Sequence, residues 1–200
     1  MKWSKKNKKK IIIFLLVIIM LLVGSYFLKE FIKKQKFLLE EMGKEKYEEI
    51  HNLYYYGETI EYEVDEEKRR IYIEEGNKKY YKITNYDEIL NKASNSYKGK
   101  LVKALDIKEK EENYYVVGIG RGLSGYYGTR LEIKKYSKNK IEYKAYSKFC
   151  YKESRVNYGE GCKEEGYYEI EKPFVLVKEE GKWKVEEYTS VFEFNESEIK

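Results

Sequence analysis

Proline is almost absent from this 200-residue chain, occurring once at Pro173, and histidine occurs once, at His51. With one proline and no Gly/Ser-rich stretch, the chain has no linker to divide it, so its folded part is read as one domain. A single histidine removes His-rich metal sites and leaves one imidazole for any Ser–His or Cys–His pairing. Cysteine is scarce too: Cys150 and Cys162 cannot supply the four ligands of a structural zinc site. The body also lacks a basic excess. The net charge of +5 comes from 40 Lys+Arg against 35 Asp+Glu, but six of those lysines lie in the first ten residues and residues 11–28 carry no charge. From residue 29 onward 34 basic groups face 35 acidic ones. Lys and Glu alternate through the strand-like segments as a solvated surface of mixed sign, not the basic face that nucleic-acid binding needs. Nucleic acid is therefore excluded as a partner.

What is present starts with Lys2, Lys5, Lys6, Lys8, Lys9 and Lys10, followed by the run IIIFLLVIIMLLVGSYFL over residues 11–28. Those 18 residues form a helix about 27 Å long, near the thickness of a bilayer's hydrocarbon core, where a helix satisfies its own backbone. Lysines resist translocation, and those before the run outnumber Lys29, Lys33, Lys34 and Lys36 after it. The expected layout is a cytoplasmic basic tail over 1–10, a transmembrane helix over 11–28, a stalk helix over 29–56 and an extracytoplasmic domain over 57–200. The localisation expected is a single-pass cell membrane protein with a cytoplasmic N-terminus. The alternative is a cleaved signal peptide, with Val23, Gly24 and Ser25 as the small-residue site and the body secreted. The run continues unbroken into Tyr26, Phe27 and Leu28, which favours a retained anchor. Either way the body leaves the cytoplasm, where Cys150 and Cys162 are expected to pair as a disulfide closing a short loop, worth ~2–3 kcal/mol. High Lys, Ile, Tyr, Asn and Glu with little Ala and Pro is the usage of an AT-rich bacterial genome.

After the membrane, Leu28, Phe31, Ile32, Gln35, Leu38, Leu39 and Met42 recur on one helical face, and Gly43 reads as a weak point before the helix resumes over 44–52. The stripe is shorter than three heptads, so docking on its own domain is expected and a homodimer through the stalk stays open. From Thr59 the period becomes two. Strands are expected over 59–64, 70–74, 80–83, 101–107, 114–119, 129–135, 140–149, 167–177 and 183–188. A helix is expected over 86–93, with Asp87 and Glu88 in its first turn. The fold class is α+β: a curved antiparallel sheet packed on a helix. Twenty-three tyrosines suit such a sheet, because tyrosine favours strands and keeps its hydroxyl wet.

Residues 120–125 spell Gly-Arg-Gly-Leu-Ser-Gly, a dinucleotide-binding pattern on paper. A phosphate-binding glycine turn must open a helix, whereas Tyr126, Tyr127 and Gly128 lead into another strand. The same segment, with Gly118 and Gly128, mixes glycines with arginine and tyrosine, the anchors favoured at interfaces. Gly120, Arg121, Gly122, Tyr126 and Tyr127 are the candidate binding loop; the competing reading is a bulged hairpin with no partner. His51, among Ile50, Asn52 and Tyr54, reads as a surface or interface histidine. The carboxylates are interleaved with lysines, and no acid/base couple stands out. No catalytic residue, metal ligand or cofactor is expected, and the chain is read as a non-enzyme.

The ending Phe174-Val175-Leu176-Val177-Lys178-Glu179-Glu180-Gly181-Lys182-Trp183-Lys184-Val185 resembles the last hairpin of cystatin-like and NTF2-like α+β domains. Three segments look more specifically like the IseA family, cell-envelope inhibitors of peptidoglycan DL-endopeptidases. They are Glu75-Gly76-Asn77-Lys78-Lys79-Tyr80-Tyr81-Lys82-Ile83, Asn85-Tyr86-Asp87-Glu88-Ile89 and Tyr114-Tyr115-Val116-Val117. The resemblance implies a membrane-anchored extracytoplasmic binding protein that inhibits such a peptidase through surface loops. The anchor and the cysteine pair depart from a freely secreted inhibitor. The alternative is a structural or assembly subunit of a secretion or conjugation complex, resembling NTF2-like inner-membrane subunits with the same tail, span and domain. The partners expected are the membrane and a cell-envelope protein, either a peptidase or assembly subunits.

Overall fold

The computed structural model describes residues 5–118, 126–150 and 167–189, with the side chains there except those of residues 5–13, 15, 127, 167 and 168. The chain falls into two units, Met1–Met42 and Gly43–Lys200. The first unit is helical from Lys5, the start of α1 (Lys5–Tyr56). Every described apolar side chain between Phe14 and Leu28 is exposed, at all positions around the helix, and Phe31, Ile32, Phe37 and Leu38 are exposed beyond it. Among the described residues no helix is long and apolar enough to cross a membrane. Residues 11–13 and 15 of the apolar run lie outside those whose side chains are described.

The second unit is α+β. After the end of α1 come β1 (Tyr72–Glu75), β2 (Lys78–Ile83), α2 (Tyr86–Asn91), α3 (Lys98–Ala104), β3 (Lys108–Lys110) and β4 (Asn113–Val117). Then follow β5 (Tyr126–Tyr136), β6 (Lys140–Cys150), β7 (Tyr167–Glu179) and β8 (Lys182–Tyr188). They make two antiparallel sheets of four, ordered β1-β2-β4-β3 and β5-β6-β7-β8, where the sequence pattern predicts one curved sheet. The long second sheet carries register shifts in β5 and between Val175 and Leu176 of β7, the bulges by which long strands bend. Burial along β6 alternates, with Ile141, Tyr143, Ala145, Ser147 and Phe149 turned inward.

Residues 43–56 of α1, predicted to be stalk, belong to this compact unit, and Ile50 and Leu53 are fully buried in its core. Gly43, read from sequence as a weak point, does not interrupt the helix. A Cβ there would lie 2.5–2.7 Å from ring atoms of Tyr143 on β6, so the glycine lets the helix approach the sheet closely. The predicted strand 101–107 is also corrected: it begins as α3, because Tyr97, Leu101 and Leu105 are buried at a spacing of four. Residues 59–64 make only isolated bridges, Tyr62 to Ile83 and Val64 to Arg70. Between α2 and α3 the chain runs beside β8, with Ser94 N–H donating to Val185 O at 2.8 Å and Val185 N–H to Lys92 O at 2.9 Å. That pairing covers part of the outer edge of β8.

Candidate functional site

The spacing of four residues that makes a helical face puts Tyr47, His51 and Tyr55 one above another on α1, turned toward β5–β8. Tyr47 packs edge-on against Phe174 of β7 at 5.2 Å between ring centroids. His51 is 2% exposed, which overturns the surface alternative of the sequence reading, a surface or interface histidine. Its ring stacks with Tyr126 of β5 at 4.5 Å and 29° and lies 4.6 Å from Tyr55. Its Nδ1 is 2.9 Å from Tyr188 Oη of β8, and its Nε2 is buried without a hydrogen-bond partner.

A hydroxyl chain runs beside the imidazole. Tyr126 Oη lies 2.8 Å from Thr129 Oγ1, which lies 2.8 Å from Ser147 Oγ, which lies 3.2 Å from Tyr47 Oη. On the other side Tyr97 Oη donates to Tyr188 O at 2.9 Å and shares a 2.8 Å bond with Tyr54 Oη. Burial sets the ionisation of the group. It pushes His51 down to about 4 and holds the Tyr47, Tyr126 and Tyr188 phenols above the usual tyrosine range. At neutral pH the cluster is a neutral imidazole among neutral phenols. It opens on a cavity of about 190 Å³ lined by Lys44, Tyr47, Glu48, His51, Asn52, Tyr126, Gly128, Thr129 and Leu131.

A serine or cysteine nucleophile needs a base within hydrogen-bond reach, yet His51 Nδ1 meets Tyr188 and Nε2 meets nothing. Among the described residues no three His, Cys, Asp or Glu side chains converge as metal ligands. A second hollow of about 560 Å³ carries Glu61, Glu63, Asp87, Glu88 and Glu112 beside Tyr86 and Tyr114, whose rings stack 3.6 Å apart. Lys82 pairs with Glu63 there. Asn85 stands at the N-cap position of α2 without a side-chain capping bond; its side chain clamps residues 59–61, donating to Thr59 O at 2.6 Å and accepting from Glu61 N at 3.1 Å.

Of the predicted loop, Tyr126 lines the His51 cavity, Tyr127 lies in β5, and Gly120, Arg121 and Gly122 fall outside the described residues. Cys150 ends β6 buried and is disulfide-bonded; Cys162 falls outside the described residues. Sequence reasoning read His51 as a surface or interface histidine and passed over Tyr47, Tyr55 and Tyr188. A signal was available for three of them: an aromatic or imidazole ring at every fourth position, 47, 51 and 55, beside the apolar Ile50 and Leu53. No protein-family model and no curated protein matches the chain.

Proposed function

We propose that the protein is a membrane-tethered binding protein whose body works outside the cytoplasm and engages a cell-envelope partner without turning over a substrate. One observation carries the reading: apolar side chains between Phe14 and Leu28 stand exposed at every angle around a helix, with lysines before and after them. A helix apolar all round needs an apolar medium all round it. The α+β unit that follows fits the cystatin-like or NTF2-like layout, and the IseA resemblance makes a peptidoglycan DL-endopeptidase the partner to try. The test is fractionation of cells expressing the full chain, followed by protease treatment of intact cells or spheroplasts. The full chain should resist alkaline extraction from membranes while the body is digested from outside. Recovery of the uncleaved chain in the soluble fraction, or a body protected from external protease, would sink the reading.

A second reading, an assembly subunit of a secretion or conjugation complex, draws on Phe31, Ile32 and Leu38, which stand exposed on the predicted stripe. Under that reading a Leu38→Cys chain cross-links to itself in membranes under mild oxidation, whereas under the inhibitor reading a peptidase is captured and the chain stays single.

A further inference from the structure

A strand at the rim of a sheet leaves alternate N–H and C=O groups without ladder partners, and another extended chain is what meets such a row. The edges of this molecule differ in how much of that row they offer. β1 and β3 are four and three residues long, and β8 has part of its rim covered by residues 92–94. β5 runs for 11 residues along the rim of the second sheet. Among the described residues no strand and no backbone group pairs with it on the side away from β6. Register shifts fall between Tyr126 and Thr129 and between Ile133 and Lys135. They leave Thr129, Arg130, Leu131, Glu132 and Ile133 in regular register, with Lys134 and Lys135 following. Bulges and lysines keep an edge from unselective pairing, so the usable window is short and its side chains choose what enters.

Those side chains divide by face. Thr129, Leu131 and Ile133 stand opposite the buried Ser147, Ala145 and Tyr143, on the core side, yet each is only half-buried. Arg130 and Glu132 are exposed on the other face. The cavity of about 190 Å³ is lined by residues of α1 and β5 and by none described from β6, β7 or β8, so it lies at the rim of the sheet. An antiparallel strand added there brings alternate side chains beside Leu131 and Ile133, and the others beside Arg130 and Glu132. We infer that β5 takes up an extended segment of a protein partner as a fifth strand, apolar at alternate positions, acidic opposite Arg130 and basic opposite Glu132. A second copy carries matching charges when two β5 strands pair about Leu131. In one continuous sheet, however, residues 43–56 of the two copies, which lie along the sheet through Gly43, Tyr47 and His51, would run in opposite directions. Two chains anchored at their N-termini in one membrane run the same way. The inference rests on the proposed function and names the form of the partner; fractionation tests the anchor and the titration below tests the edge, so either can fail alone.

The probe is the end-blocked, fluorescein-labelled peptide Val-Lys-Val-Glu-Val, which in antiparallel register sets its lysine opposite Glu132 and its glutamate opposite Arg130. Titrated with the full-length protein in detergent micelles and read by fluorescence anisotropy, it should bind saturably, beyond any uptake by empty micelles. The charge-swapped peptide Val-Glu-Val-Lys-Val should bind about tenfold more weakly, since two cross-strand charge pairs turn from attraction to repulsion. Arg130→Glu combined with Glu132→Lys, both at exposed positions, should reverse that order with an unchanged circular dichroism spectrum. A strand offers its amides alternately to its two sides, so N-methylation of one alternate set, the valines or the charged pair, should abolish binding, and N-methylation of the other should leave it within about threefold. No saturable binding, equal affinity for the two charge patterns, or equal loss on either N-methylation would overturn the inference. So would a dimer in sedimentation that Arg130→Glu dissociates, which gives the edge to a second copy. Should the double variant not fold, the charge order and the N-methyl pair on the wild-type protein decide alone.

Discussion

Along the single helix α1, ring-bearing and aliphatic side chains meet two fates. Between Phe14 and Leu28 they are exposed whatever their angle on the helix, whereas Tyr47, Ile50, His51, Leu53 and Tyr55 are buried. The two glycines of α1 divide the same way. A Cβ on Gly24 would meet nothing within 4 Å, and one on Gly43 would strike the Tyr143 ring. Both regions are helical; what differs is the pattern of their apolar residues. An unbroken apolar surface suits an apolar surrounding, whereas a stripe with a glycine at its closest approach suits one packed sheet.

The contrast should show in stability. Leu53→Ala, which empties a fully buried position, is expected to cost about 2–5 kcal/mol in denaturant unfolding of the full chain in micelles. Leu21→Ala, on the exposed segment, should leave that unfolding midpoint where it is. Equal losses would erase the distinction between the regions.

Acid should act on the buried region next most strongly. Because burial lowers His51 from its usual 6.5 to about 4, the folded state favours the uncharged ring. Its contribution is complete above pH 6.5 and disappears as pH falls toward 4, about 3 kcal/mol in all. The groups around it, Tyr47, Tyr55, Tyr126 and Tyr188, stay neutral over that range, so unfolding followed from pH 7 to pH 4 should lose this slope in His51→Phe.

Gly43→Ala sets a clash with a buried ring against a gain in helix propensity and should destabilise by about 1–3 kcal/mol. Gly24→Ala, with open space around it, should cost nothing. Measured destabilisation by Gly24→Ala would mean that its surroundings are packed.

The smallest effect is expected at Glu49, which accepts from Lys46 at 2.7 Å and pairs with Lys92 after α2. Burial pushes its carboxyl up, but hydrogen bonds from the two lysines outweigh that and hold it below the usual range. Its contribution is therefore present above the ordinary glutamate value and lost on acidification. The side chains are partly exposed, so Glu49→Gln should cost about 1 kcal/mol or less, and less still in high salt.

The second sheet was largely legible because its signals are local. Alternation along 140–149 matches the inward residues of β6, and Glu180 and Gly181, both at positive φ, form the turn between the strands expected over 167–177 and 183–188. The turn between β3 and β4 was not legible: Glu111 and Glu112 both take positive φ without glycine or asparagine to announce it. α3 was hidden by a short apolar pattern that reads equally as strand. In the candidate site only Tyr126 was anticipated, and for a different reason.

The amino-acid order by itself determined the charge-free run, the helical stripe after it and the last hairpin, β7–β8, because each depends on neighbours within a few positions. Tertiary structure alone decided that the strands form two sheets, that Gly43 is a point of contact, and that His51 is buried and neutral. Those outcomes depend on partners far along the chain, Tyr143 for Gly43 and Tyr188, 137 residues away, for His51, and no local pattern encodes which distant side chain will arrive.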